Sequence, residues 1–209
     1  EVLKIEIMFR AGKWYEPRPS VSHFTAQMLE KGTARHSSAA IAEVFDRLGA
    51  HVEVTPGHDY ASVSLYGLAK NWQQAFALLM EIVSQPSFPA EELDLQKSIF
   101  LQNLKVNLEK NSFVASQAIR KNIFGVAHPY GASVEEEQVI PLRSEELKAF
   151  HKKTYQPFAV FLTVNPRFQH QSLVSELNAF EKVNAGTLTH EVKPADAAAE
   201  RIEKTDSIQ

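Results

Sequence analysis

The chain has no cysteine among its 209 residues. That excludes disulfides, thiolate nucleophiles, cysteine-ligated zinc and iron–sulfur clusters, and it suits any redox compartment. No apolar run approaches the roughly 18 residues that a membrane-crossing helix requires. An excess of one charge is lacking too. Lys and Arg number 22 against 25 Asp and Glu, giving a formal net charge of −3 and a pI near 6.3. Such a balance leaves no electrostatic footprint for nucleic acid. No signal peptide is visible in the given sequence, which opens in a strand pattern and reads as a mature or trimmed piece of a longer protein.

What is present is a globular composition, 44% hydrophobic, enough for one substantial domain or one domain and the beginning of another. Ile5, Ile7 and Phe9 alternate with Lys4 and Glu6, which predicts a half-buried strand over Val2 to Phe9. Gly12, Pro17 and Pro19 break it. Ser20 or Ser22 is placed to cap a helix running to about Lys31 and stopping at Gly32. Ser37 or Ser38 starts a second helix, with Ile41, Val44, Phe45 and Leu48 on one face and Gly49 as its stop. Residues 51 to 68 predict a hairpin turning at "PGHD". Helices follow over about 71–84, 90–108, 114–124 and 144–153, the last capped by Ser144. "FAVFLTV" reads as a buried strand, and a final helix spans about Gln169 to Phe180. The order predicts an α+β fold, a mixed and largely antiparallel sheet with helices packed on one side. The domain is placed at 1–182. The polar, Ala-rich stretch 183–209 reads as a linker ending in the possible first strand of a missing second domain.

One stretch carries chemistry, "SVSHFTAQMLEKGT", residues 20 to 33. Zinc hydrolysis needs three protein ligands plus water, and a carboxylate to move the water's proton. The inverted motif H-x-x-E-H places two histidines four apart on one helix face with the base between them. "SHFTAQMLEKGT" resembles the motif helix of the insulinase, pitrilysin and mitochondrial processing peptidase family, roughly A-H-L-L-E-H-M-L-F-K-G-T. "RAGKWYEP", "RLGAHVEV", "PSFPAEELDLQK", "HPYG" and "YQPFAVFLTVNP" resemble later segments of that family in the same order, covering about residues 2 to 180.

The resemblance implies a set of vestigial positions. His23 matches the first ligand histidine, Ala26 stands at the position of the Glu base, and Gln27 stands at the second histidine. Asn103 stands at the downstream Glu ligand, and Gln96 at an acidic position one face earlier. The substrate-side strand, usually Asn-Ala followed by Thr, reads Glu53-Val54-Thr55 and is a candidate peptide-binding edge. The Gly that commonly precedes the motif histidine is replaced by Ser20-Val21-Ser22. Zinc is the family's metal, yet a single imidazole and two neutral amides will not hold it, so no cofactor and no catalytic residue is expected here. Family members build a chamber from homologous domains, one zinc-bearing and others empty. The resemblance therefore implies a non-catalytic homologue that pairs with a catalytic zinc-peptidase homologue, or with a second copy of itself, around a peptide. An active zinc metalloendopeptidase with unusually placed ligands and a purely structural subunit are the alternatives. The bacterial periplasm is one candidate compartment.

Other residues carry plainer readings. His36, His51 and His58 are expected at solvated positions rather than in a relocated metal site. Trp14, Tyr15 and Trp72 are expected to pack rather than to line a groove. His128-Pro129-Tyr130-Gly131 reads as a turn, Glu135-Glu136-Glu137 as a solvated turn, and Lys152-Lys153 as a complement to a helix dipole.

Overall fold

The computed structural model describes residues 1–165 and 171–178. The stretch 183–209 and the ends of the predicted last helix lie outside the described residues. Four strands form one sheet: β1 (Val2–Phe9), β2 (His51–Pro56), β3 (Ala61–Leu68) and β4 (Pro157–Val164). Their spatial order is β2-β3-β1-β4, and every pairing is antiparallel. The α+β expectation holds, with the sheet antiparallel throughout the described residues. The register sets Ile5 opposite Leu65, Ile7 opposite Val63 and Phe9 opposite Ala61. All six are fully buried, because strand side chains alternate and these share the face that helices cover.

The helices are α1 (Val21–Gln27), α2 (Ser38–Leu48), α3 (Trp72–Ser84), α4 (Ala90–Leu108), α5 (Asn111–Phe124), α6 (Glu136–Val139), α7 (Ser144–Thr154) and α8 (Gln171–Asn178). Phe24 of α1, Ile41 and Phe45 of α2, Leu79 and Ile82 of α3 and Leu147 and Phe150 of α7 join the sheet residues in one core. Helix α4 contributes only Leu93 to the fully buried set, while its Leu95, Ile99 and Val106 stay exposed. It reaches past the core and lies beside α5 and α1.

Several local expectations are corrected. The motif helix ends at Gln27 rather than Lys31, and a separate 3-10 turn covers Leu29–Lys31. Neither Ser20 nor Ser22 caps it. The Glu16 carboxylate, six residues upstream, does so by accepting from the Ser22 N–H at 3.1 Å and the Ser22 hydroxyl at 2.7 Å. An acceptor brought back by the loop satisfies the orphan donors as well as a serine one would. Ser144 is the first residue of α7, not its cap. The Glu146 carboxylate accepts there from the Arg143 N–H at 3.0 Å. Ser37 does cap α2, accepting from Ala40 N–H, and Gly49 closes that helix at φ 62°.

"FAVFLTV" lies in β4, an edge strand pairing with β1 alone among the described residues. Phe161 and Thr163 are exposed. An unbroken apolar run gives no alternation from which to read which face, or which edge, is covered. Glu135-Glu136-Glu137 is not a free turn; it begins α6.

Candidate functional site

The segment before α1 is built against two distant parts of the chain. Gly12 packs so closely on the hairpin turn that a Cβ there would overlap the His58 carbonyl. Lys13 N–H then donates to Gly57 O at 3.1 Å and Trp14 N–H to His58 O at 2.8 Å. Downstream, the Arg18 guanidinium donates to both Glu146 oxygens, at 2.6 and 2.7 Å, and to Gln138 O at 2.7 Å. This fork joins the approach to α1 with α6 and α7. Bidentate geometry fixes direction as well as distance.

Helix α1 thus presents His23 and Gln27 on one face, one turn apart. Both are half-buried, and Ala26 between them is completely buried. The His23 ring packs against Phe24, with centroids 5.3 Å apart, and against Phe100 of α4, with centroids 5.0 Å apart at 54°. Phe100 also meets Phe24 at 5.3 Å. Burial among these rings pushes the His23 pKa below its usual value. On α4, Phe100 and Leu104 face the space beside His23, whereas Asn103 is solvent-exposed and Gln96 half-buried.

The set does not fit zinc. His23 supplies one good donor. Ala26 supplies none, and the amides of Gln27 and Asn103 are neutral. Among the described residues no three His, Cys, Asp or Glu side chains gather closely enough to hold a metal ion. His36, His51 and His58 form no relocated site among the described residues. His36 Nδ1 is engaged by Glu81 at 2.9 Å, His51 stacks on Tyr66, and His58 packs edge-on against Tyr130. Glu53, Val54 and Thr55 lie in β2, which ends the described sheet, so one backbone edge of that strand has no partner among the described residues. Glu53 and Thr55 are exposed and Val54 half-buried.

Trp14 does not line a groove but packs with His128 and Tyr130, at 5.3 and 5.7 Å, and Trp72 belongs to the core. The "HPYG" turn is therefore a docking element, held by the Tyr130 hydroxyl donating to Asp59. That bond pushes the Tyr130 pKa up to about 12.

A cavity of about 250 Å³ opens beside His23. Its wall carries Lys13, Glu16, Ser20, His58, Phe100 and Arg120. Sequence reading missed this grouping. Lys13 and Arg120 are far apart in the chain, and no spacing rule relates a residue after the first strand to one on the fifth helix. The only local sign was a basic residue immediately beside a strand-ending glycine.

Comparison with known proteins agrees with the fold and with the family resemblance. The family model described as "Insulinase (Peptidase family M16)" matches residues 2–134. An "Uncharacterized zinc protease" of Rickettsia felis is 23% identical over 175 residues, spanning 82% of this chain and 42% of that protein. The "Uncharacterized zinc protease YmxG" of Bacillus subtilis is 25% identical over 146 residues, 69% of this chain and 36% of that one. Among solved structures, a peptidase M16 inactive domain from Pseudomonas fluorescens superimposes with a TM-score of 0.74 at 25% identity, over 93% of this chain and 48% of the other. The chain thus spans less than half the length of these relatives. With the family model covering well over half of its residues, the chain belongs to the insulinase family, peptidase family M16.

Proposed function

We propose that this chain is a non-catalytic M16 domain that pairs with a zinc-bearing homologue and shapes a peptide-binding cavity. One observation carries the reading. The family's base and two of its three ligand positions are Ala26, Gln27 and Asn103, and an aromatic ring from α4 packs against the remaining histidine. Loss of a general base alone lowers a rate by about 10²–10⁴, and loss of ligands removes the activated water as well. The scaffold that positions the motif is nonetheless intact, from the Glu16 cap to the Arg18 fork. The likeness to an M16 domain described as inactive supports the same reading. The open edge of β2 at Glu53, Val54 and Thr55 is the surface on which an extended peptide would add a strand.

The test is co-expression with a zinc-bearing M16 homologue. Association on size exclusion, together with faster peptide cleavage by the mixture than by the homologue alone, is the expected result. If mixing changes neither, the pairing is wrong. Self-association without the homologue would instead make a second copy the partner. The relatives named zinc proteases keep an active metalloendopeptidase as the competing reading. One equivalent of zinc, lost on His23→Ala, would favour it.

A further inference from the structure

The cavity beside α1 has more basic than acidic side chains on its wall, and one buried hydroxyl there has no partner among the described residues. Lys13 and Arg120 line it together with a single acid, Glu16. Glu16 is already held by the two hydrogen bonds from Ser22. Lys13 directs one N–H at Ala132 O, 2.7 Å away, and an ammonium has three such donors. Arg120 donates from one guanidinium nitrogen to Ser116 Oγ at 2.9 Å, and a guanidinium has five donors. Burial pushes the Lys13 pKa down, Glu16 opposes that shift and Arg120 adds to it, so the two cations sense each other. Two basic side chains thus face a single carboxyl on this wall. Ser20 is 2% exposed, and its hydroxyl has no partner among the described residues. A buried hydroxyl left unpaired is disfavoured unless a ligand or water meets it. Phe100, Leu104 and Phe113 supply an apolar part of the wall, beside the polar Gln117 and Ser133. An apolar pocket with a few convergent polar groups is the usual form of a small-ligand site.

We propose that this cavity binds a carboxylate carried on an apolar body the size of a phenylethyl group. The anion meets Lys13, Arg120 and the Ser20 hydroxyl, and the body lies against Phe100, Leu104 and Phe113. An anion suits a wall with two basic side chains and supplies an acceptor for the Ser20 hydroxyl and for the remaining donors of Lys13 and Arg120. A cationic ligand would face two like charges. A free acid and the carboxy-terminus of a short peptide present the same chemistry. The site needs neither a metal nor a homologue, so it stands or falls separately from the pairing proposed above.

Calorimetric titration of the full chain with 3-phenylpropionate, 3-phenylpropionamide and N-acetylphenylalanine tests it. The acid is expected to bind at least about tenfold more tightly than the amide, the effect of one charge-assisted hydrogen bond. Arg120→Gln and Lys13→Met should each erase most of that difference, and Leu104→Trp should block all three ligands by filling the cavity. Circular dichroism of each variant checks that it is folded, and the acid-against-amide ratio of the unmodified chain reads the proposal without any variant. Tighter binding of N-acetylphenylalanine would assign the site to peptide termini, and tighter binding of 3-phenylpropionate to free acids. Equal binding of acid and amide, acid binding indifferent to both cation substitutions, or no heat at millimolar ligand would overturn the proposal.

Discussion

His23 and Phe100 are in ring contact, with centroids 5.0 Å apart at an interplanar angle of 54°. The histidine that the resemblance sets at a family ligand position is thus packed between α1 and α4. Its basicity is lowered by burial, and its aromatic surface is covered. From this contact follows the first expectation, that the protein takes up zinc far below one equivalent. Elemental analysis after dialysis against micromolar zinc measures this. Any residual metal should persist unchanged in His23→Ala, because the substitution removes no site. A full equivalent that disappears with His23 would contradict the coordination argument.

Removing the ring tests the packing itself. Phe100 is half-buried and touches both His23 and Phe24. Phe100→Ala should lower stability by about 2 kcal/mol, less than for a fully buried Phe because part of the ring already faces solvent. It should also admit water to His23, whose pKa then rises toward 6.5, followed through its imidazole proton shifts. A destabilised variant with an unmoved His23 titration would show that something other than Phe100 buries that imidazole.

The Glu16 cap has opposing parts that two substitutions separate. Burial pushes its pKa up, and the hydrogen bonds from Ser22 pull it back in part. A carboxyl whose folded pKa is raised contributes stability below its unfolded value, near 4.5, and loses it as pH rises through the folded pKa. At neutral pH the buried charge is therefore a burden. Glu16→Gln keeps an acceptor without the charge, so its thermal midpoint should match or exceed that of the wild type. Glu16→Ala removes the acceptor and should cost about 1 kcal/mol. Equal losses in both would mean that the charge itself, not the acceptor, holds α1.

Histidines set an acid limb. Burial depresses the pKa of His23 and of His151, the latter partly offset by its Nε2 hydrogen bond to Val83 O at 2.7 Å. A depressed folded pKa gives stability that is complete above the unfolded value, 6.5, and is lost as pH falls through the folded one. His23→Phe should therefore lose less of its urea midpoint than the wild type between about pH 7.5 and about pH 5. Parallel losses would place the acid sensitivity elsewhere.

Gly12 tests the wall of the cavity. Its φ is −77°, so backbone strain plays no part; the obstacle is the His58 carbonyl where a Cβ would stand. Gly12→Ala should destabilise by about 1–3 kcal/mol, as overpacking does. It should also weaken protection of the Trp14 amide, which donates to His58 O, in hydrogen exchange. An unchanged exchange rate at Trp14 would show that the turn yields without cost.

Much of this fold was legible in residue order. Alternation marked β1, the spacing of Ile41, Phe45 and Leu48 marked α2, and the turn residues of "PGHD" marked the hairpin. The resemblance placed Ala26, Gln27 and Asn103 at motif positions, and the family itself is shown by the match over residues 2–134. Caps were less legible. Ser20 and Ser144 have the right chemistry at the right places, yet carboxylates from Glu16 and Glu146 serve those helices. Which acceptor reaches an orphan N–H depends on the loop's path, and that is a tertiary fact.

By itself the sequence determined what chemistry the motif helix can offer. One imidazole, one methyl group and one amide are covalent facts, and folding cannot add a donor atom to them. Tertiary structure alone decided that Phe100 covers His23, that β4 lies at an edge, and that Lys13, Ser20 and Arg120 share a cavity with Glu16. Those groups come from the loop after β1, from the residue before α1 and from α5. Local periodicity reports which face of an element is apolar, whereas a meeting of distant elements depends on how those faces pack together.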